Sequence, residues 1–376
     1  IKKINMDNCQ HQNGLEFCVR KIKKYFKNQQ LPPAHMMDEH FNDEHFPPTI
    51  NSLMSIDENG KPSDPQQFQK NKNDINPNEI SWKRIPELFT KFEIFEGTIE
   101  FNDIKQGSLG NCYFLSALAA LTEFPNLIFK IFKTREVPKN GLYQIGLFID
   151  GEWQIVIVDD YIPVDKYGGD PAFAKPNGNE IWVMILEKAW AKINGGYMNI
   201  IGGQSSEALA VITGFSKRSF VVNPEKVEEI WNTVSEADAN NNMMCCGTNN
   251  TQEAEDMGLV GAHAYTILSA KSKTVNGELV RLFEIRNPWG SKEWKGDWSD
   301  SSPLWDEKLN KFFGREEAKD DGLFFIKVED FCKYMGALFI CYEMYNCNTK
   351  IYNYELEKIS INKPQTFSLN IRKSSD

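Results

Sequence analysis

The sequence predicts an α+β fold in two consecutive parts, helix-rich first and strand-rich second. Three observations carry this prediction. The apolar, small-residue run from Cys112 to Leu121 follows a loop holding Gly107 and Gly110, and it reads as a buried helix. Residues 179–193 repeat apolar positions at helical spacing, with Trp182, Ile185, Leu186, Ala189 and Trp190 on one face. Further on, residues 243–248, 261–271, 279–286, 323–328 and 337–344 read as strands, and Asn276-Gly277 marks a hairpin between the second and third.

Taken in order, residues 1–40 are a polar N-terminal extension. Residues 14–30 hold one amphipathic helix, with Leu15, Cys18, Val19, Ile22, Tyr25 and Phe26 near one face. His35, His40 and His45 are five residues apart and do not share a helix face, so they suggest no metal site. Residues 46–80 are loop-like, and Trp82, Ile85, Leu88 and Phe89 mark the entry to a core. Residues 141–149 and 152–158 form a hairpin through Asp150-Gly151. Gly195-Gly196 and Gly202-Gly203 break the helical pattern and place a boundary near 203–215. Residues 224–237 read as a helix, and no internal repeat is present.

Composition narrows the function. A chain of 376 residues has room for two or more domains. A net charge of −10 with pI near 5.2 argues against nucleic acid and is compatible with hard cations held by carboxylates. No apolar run reaches ~18 residues, so no membrane-spanning helix is expected. No signal segment opens the chain, which begins at Ile1, and the true N-terminus is expected to lie upstream. The eight cysteines are irregularly spaced without a Cys-x-x-Cys pair, which reads as free thiols in a reducing compartment.

The chemistry centres on Cys112. At the first turn of a helix, free N–H groups and the helix dipole favour an anion, so the thiol is expected to ionise more easily. A lone cysteine in an apolar run is usually a small core residue. Here Gly110 and Tyr113 flank it in the manner of papain-type nucleophiles, and Gln106 stands six residues before it, where its amide can donate to an oxyanion. Four of the five histidines precede residue 46, which leaves His263 as the imidazole available to a thiol in the core. Alone it would read as a satisfied strand histidine. It follows Cys112 by 151 residues, close to the ~130–150 spacing of papain-like enzymes. Asn287, at the end of the next strand, is placed to orient the imidazole, and Trp289 to keep water from that contact. A two-residue Asn-Gly loop sets His263 and Asn287 three places out of register, so a longer loop or a bulge is required.

Residues 106–122, 186–203, 261–270 and 285–300, with 41–53 and 82–84, resemble the catalytic core of calpains, the calcium-dependent cytosolic cysteine proteases. The resemblance covers roughly residues 40–345. It implies a papain-like two-lobed core, with subdomain 1 at 41–208 carrying Cys112 and subdomain 2 at 209–345 carrying His263 and Asn287. It also implies Gln106 at the oxyanion hole and Trp289 at the lobe interface. By the same resemblance each lobe binds one Ca²⁺. Asp103 and Glu187 with the carbonyls of Glu96 and Thr98 serve the first site, and Glu293, Asp300 and Asp321 with the carbonyl of Lys319 serve the second. Leu323 stands where the family commonly carries another acid, which makes the second site the weaker candidate. Ala262 replaces a frequent glycine, and Asn111 replaces the usual acid before the cysteine. Residues 346–376 are a polar tail or the first strands of a truncated β-sandwich. No EF-hand loop is present.

The resemblance implies a cytoplasmic, calcium-activated endopeptidase acting on protein substrates through an acyl-enzyme, with regulatory domains or subunits outside this segment. Two other readings stand beside it. One is a transglutaminase-like acyl transferase, against which Asn287 and the Gln106 spacing argue. The other is a catalytically weak calpain-like scaffold or binding protein, which would be expected to lose one of Cys112, His263 and Asn287.

Overall fold

The computed structural model describes residues 40–54, 75–315 and 319–342. The amphipathic helix expected at 14–30, His35 and the tail 346–376 lie outside the described residues. The described elements are, in order, α1 (Ile50–Leu53), β1 (Ile80–Arg84), α2 (Ile85–Leu88), α3 (Cys112–Leu121), α4 (Pro125–Ile131), β2 (Tyr143–Ile149), β3 (Glu152–Val158), β4 (Tyr161–Asp165), α5 (Trp182–Ile193) and α6 (Ser205–Thr213). Then follow β5 (Ser216–Val221), α7 (Val227–Ala239), β6 (Met243–Thr248), α8 (Gln252–Asp256), β7 (Ala264–Val275), β8 (Glu278–Arg286), α9 (Glu307–Phe313), β9 (Leu323–Lys327), α10 (Val328–Tyr334) and β10 (Met335–Tyr342). The architecture is the expected α+β one. Helices and two small antiparallel pairs, β1–β4 and β2–β3, build the first part. A six-stranded antiparallel sheet, ordered β5-β10-β6-β7-β8-β9, builds the second.

Helix α3 is apolar all round because it is enclosed all round: residues 113–121 are buried. Pro125 opens α4 and ends any continuation of α3. Strand β6 explains how the parts join. Its four leading residues, Met243, Met244, Cys245 and Cys246, are all buried, and they alternate between two cores. Met243 and Cys245 face α3 and the first part, whereas Met244 and Cys246 face α7 and α10. The sheet therefore presents one face to the helices that begin at Cys112.

Some sequence expectations shift. Helix α5 begins at Trp182 rather than 179, because Asn179 and Glu180 are engaged by Glu96. Strand β7 begins at Ala264 rather than 261, since Ala262 adopts φ 49° and turns the chain. The Asn276-Gly277 loop has two residues, with φ 51° and 87°, so no longer loop is used. A shift between Ile267 and Ser269 corrects the register by one place of the three, and the His263 side chain spans the rest. Strands β1, β4 and β5 and helices α1, α2, α4, α6, α8, α9 and α10 were not anticipated, and α1 falls in a stretch read as loop-like.

Helix α5 was expected to bury one face, yet all twelve of its residues are buried. Its polar residues meet matched charges. Lys188 pairs with Asp159 and donates to the Tyr161 carbonyl at 2.6 Å. Lys192 pairs with Asp43 at 2.7 Å and donates to the Ile157 carbonyl at 2.6 Å. Asp43 N–H donates to Asp159 Oδ2 at 2.8 Å, and Arg84 beside Asp160 reaches the Phe41 carbonyl at 3.0 Å. Three cations and three anions thus lock residues 41–43, the β3–β4 turn and α5 together. Removing one member leaves a buried charge without its partner. Asp159→Ala is expected to lower unfolding stability by about 3–5 kcal/mol in urea melts. Lys226→Ala, which breaks an exposed pair with Glu229 at 3.6 Å, is expected to change it by less than about 0.5 kcal/mol. Equal effects would show that the buried network does not hold the first part together.

Candidate active site

The loop before α3 is shaped by close approach. A side chain at Gly107 would lie 2.0 Å from the Phe173 carbonyl oxygen, so only glycine fits there. Ser108 N–H and Oγ both donate to the Ala172 carbonyl, at 3.0 and 2.8 Å, and tie the loop to residues 172–173. Asn111 donates from Nδ2 to Glu187 Oε1 at 2.7 Å, and Glu187 Oε2 accepts from Ala174 N–H at 3.1 Å. The residue before Cys112 is thereby anchored to α5.

Cys112 is the first residue of α3, half-buried, with the backbone N–H groups of Ala264, Tyr113 and its own residue directed at the sulfur. The contact with Ala264 crosses from the first part to β7, one residue beyond His263. The expected ease of ionisation is not what this surrounding gives. Burial pushes the thiol up, and the three N–H groups only partly offset it. Desolvation of the anion outweighs the helix dipole.

His263 is buried, and Thr248 fixes its backbone from both sides. Its N–H donates to Thr248 Oγ1 at 3.0 Å, and its carbonyl accepts from Thr248 N–H at 2.9 Å. The β7–β8 ladder closes on Thr266 opposite Arg286, and Asn287 follows directly on that pair. The imidazole reaches diagonally to Asn287, with Nε2 2.8 Å from Oδ1. The orientation of the Asn287 amide is set by its other bonds. Nδ2 donates to the Ser291 and Lys292 carbonyls at 2.7 and 3.1 Å, and Oδ1 also accepts from Trp289 N–H at 3.1 Å. Nε2 must therefore carry the proton, which leaves Nδ1 with a lone pair to act as a base. Burial holds the imidazole down at about 4, assisted by Lys292 and opposed by the Asn287 bond. Burial thus favours the neutral form of both thiol and imidazole.

Trp289 is 37% exposed and covers the imidazole, with ring centroids 4.7 Å apart. Its Nε1 donates to Gln106 Oε1 at 2.9 Å, a bond that joins the loop before Cys112 to the loop after Asn287. Gln106 Nε2 donates to the Leu109 carbonyl at 2.7 Å, and one N–H of that amide remains. Five sequence-selected residues, Gln106, Cys112, His263, Asn287 and Trp289, are thus brought into one neighbourhood. Ala262, beside His263, holds a left-handed φ of 49° that glycine would adopt without strain.

The selected acids assort differently. Asp103 Oδ2 accepts from Glu100 N–H at 2.8 Å, and its carboxyl lies beside that of Glu180. Glu180, which the sequence reading passed over, also accepts from Glu96 N–H at 2.7 Å and from Trp182 Nε1 at 3.0 Å. It is pushed up to about 7, chiefly by burial and further by Asp103. Glu187 is occupied with Asn111 and Ala174, and burial pushes it up to about 7. Thr98 Oγ1 donates to Glu100 Oε1 at 3.0 Å. In the second part Glu293 Oε1 accepts from Asp321 and Gly322 N–H at 3.0 and 2.7 Å. Burial raises it to about 7, with Asp300 and Asp320 adding to the effect. Asp300 accepts from Lys319 N–H at 3.1 Å, and Asp321 accepts from Leu323 N–H at 3.0 Å. Among the described residues no group of three or more His, Cys, Asp or Glu side chains is arranged to hold a metal ion. Any cation here would need backbone carbonyls and water besides carboxylates. The paired acids have the donor chemistry for a hard cation. Glu180 and Thr248 carry no spacing signal, and only proximity in the fold reveals them.

The calpain family cysteine protease model matches residues 41–342. The chain is 33% identical over 320 residues to calpain-type cysteine protease DEK1 of Zea mays, a match covering 81% of this chain and 14% of that protein. It is 33% identical to human calpain-14 over 310 residues, covering 80% and 42% of the two chains. To the calpain-1 catalytic subunit of Mus musculus it is 32% identical over 313 residues, again covering 80% and 42%. The chain spans less than half the length of each of these relatives. A thiol at a helix start, a neutral imidazole oriented by asparagine and a family match across both parts lead to one conclusion: the chain belongs to the calpain family of cysteine proteases.

Proposed function

We propose that the chain is the protease core of a calcium-activated, cytoplasmic cysteine endopeptidase. The observation that carries the reading is the 2.8 Å bond from His263 Nε2 to Asn287, which leaves Nδ1 as a base in the residue next to the one contacting Cys112. In this reading the Cys112 sulfur attacks the scissile carbonyl as its proton passes to His263 Nδ1. The oxyanion is met by the Cys112 backbone N–H and the remaining Gln106 amide N–H. Collapse expels the amine, which takes the proton from His263, and leaves a thioester on Cys112. His263 then deprotonates water to hydrolyse it. Asn287 keeps the imidazole in the required tautomer throughout.

Calcium is proposed as the activator. Asp103 and Glu180, with the carbonyls of Glu96 and Thr98, would hold one ion. Glu293, Asp300 and Asp321, with the carbonyl of Lys319, would hold the other, and Asp320 lies close enough to add charge. The ion supplies positive charge that lets these carboxyls ionise together. Asp103 lies three residues before Gln106, and Glu293 six residues after Asn287, so ordering either loop moves part of the site. The free thiols Cys112, Cys245, Cys246, Cys332 and Cys341 suit a reducing compartment. Protein substrates, and regulatory domains or subunits outside this segment, complete the proposal; the relatives are more than twice as long as the stretch they share with it.

Replacing the nucleophile is expected to remove hydrolysis. Cys112→Ala should reduce casein cleavage by at least about 10⁴-fold while its urea melt stays close to the parent's. Casein cleavage at the parent rate would rule out Cys112 as the nucleophile.

Calcium dependence separates two acids. Glu180→Gln should raise the calcium needed for half-maximal cleavage about tenfold, since affinity follows the carboxylate count. Glu187→Gln should leave that midpoint near the parent's. The reverse order would return the ligand role to Glu187, and full activity in excess chelator would remove the calcium switch.

The imidazole predicts acid sensitivity with a definite sign. Its folded value of about 4 lies below the ordinary ~6.5, so the unfolded chain protonates first as the pH falls. The stability held by neutral His263 is complete above ~6.5 and is lost on descent to about 4, by roughly 3 kcal/mol. Urea melts of the parent and of His263→Gln between pH 7 and pH 4 should diverge by that order, and parallel acid limbs would refute it.

A further inference from the structure

Arg286 is one of the largest fully buried side chains, 2% exposed. It ends β8 opposite Thr266 on β7 and Leu323 on β9, so the three share one face of the sheet. Neither neighbour offers a carboxylate. Nε and Nη1 of Arg286 accordingly have no hydrogen-bond partner. A buried cation left in this way is costly unless something else compensates.

Two compensations are present, and they come from opposite parts of the molecule. The guanidinium carbon lies 4.9 Å from the centroid of the Phe101 ring, a cation–π contact. Asp321 and Asp103 supply the attractive charges. Phe101 and Asp103 belong to the 3-10 turn Phe101–Asp103, which leads into Gln106. Asp321 belongs to the loop before β9, and Arg286 itself precedes Asn287. One guanidinium therefore serves both acidic loops and adjoins the residue that orients His263.

We propose that Arg286 is an internal counter-ion, which holds the Asp103 and Asp321 loops together without a divalent cation and competes with that cation for them. The proposal rests on the reading of Asp103 and Asp321 as calcium ligands. Its physical content is a competition of charges. A divalent cation entering either loop is repelled by the guanidinium and withdraws a counter-charge from it. The side chain has nowhere to go for replacement hydrogen bonds, because Thr266 and Leu323 provide no anion. Arg286 thus acts as a positioning residue that sets the cation concentration at which the loops beside Gln106 and Asn287 reorder.

The test measures binding rather than turnover. Calcium chloride is titrated calorimetrically into the full chain carrying Cys112→Ala, alone or with Arg286→Gln, Arg286→Lys or Phe101→Leu, and each variant is checked by urea unfolding. Arg286→Gln should bind calcium about tenfold more tightly, within the usual range for coupled sites. Arg286→Lys keeps the charge and should stay within about threefold of the parent. Phe101→Leu removes the ring face, leaves the guanidinium to the carboxylates alone and should weaken calcium binding about threefold. A Gln variant with parental or weaker affinity overturns the proposal. If that variant fails to unfold cooperatively, Phe101→Leu decides, and parental or tighter binding there overturns it. Absence of calcium heats in the parent at millimolar concentration overturns the calcium reading and this proposal together. Identical affinities across folded variants overturn the counter-ion role alone.

Discussion

The site depends on one seam, where helix α3 lies against the sheet. The Ser116 carbonyl accepts from Thr266 Oγ1 at 2.8 Å and from the Cys245 thiol at 3.5 Å, so one turn of α3 is bonded to both β7 and β6. Ser116 Oγ meets Ser205 Oγ at 3.0 Å and extends the seam to α6. A polar residue in the middle of an apolar helix looks like a defect in a hydrophobic pattern. Here it fixes the rotation and height of α3, and Cys112 at its start falls against Ala264. His263, its backbone clamped by Thr248, has no freedom to drift from that position.

The burial that makes the seam rigid also sets the charge state around it. Water is kept from the thiol, the imidazole and several carboxyls, and each moves toward its neutral form. A site of this kind is assembled but not charged. The Trp289–Gln106 bond joins the loops before Cys112 and after Asn287 directly, and Arg286 with Phe101 joins them a second time beneath the surface. The first part has its own brace, in which Asp43, Asp159 and Asp160 neutralise Lys192, Lys188 and Arg84.

Much of this was readable along the chain, where the signal is local. Helix α3, the β2–β3 hairpin, the Asn276-Gly277 turn and strand β6 follow from glycine conformational freedom, apolar runs and alternation. Cys112, His263 and Asn287 were singled out by residue type and order before any contact was known. Edge strand β5 escaped notice because Lys217 and Arg218 interrupt its apolar pattern, as charges on exposed edges commonly do. Helix α5 was read as two-faced because its lysines are polar, although matched aspartates bring them inside.

The sequence by itself determined the α+β class, the family resemblance and the residues capable of thiol chemistry, since these are properties of composition, local backbone preference and motif. Only the tertiary structure decided that the thiol is pushed up rather than down, because desolvation depends on every neighbour that excludes water. It alone set Glu180 beside Asp103, because carboxyls far apart in sequence meet only when the chain folds. It alone left Arg286 buried on Phe101, because a guanidinium's partners are set by which strands and loops pack around it and not by its place in the chain.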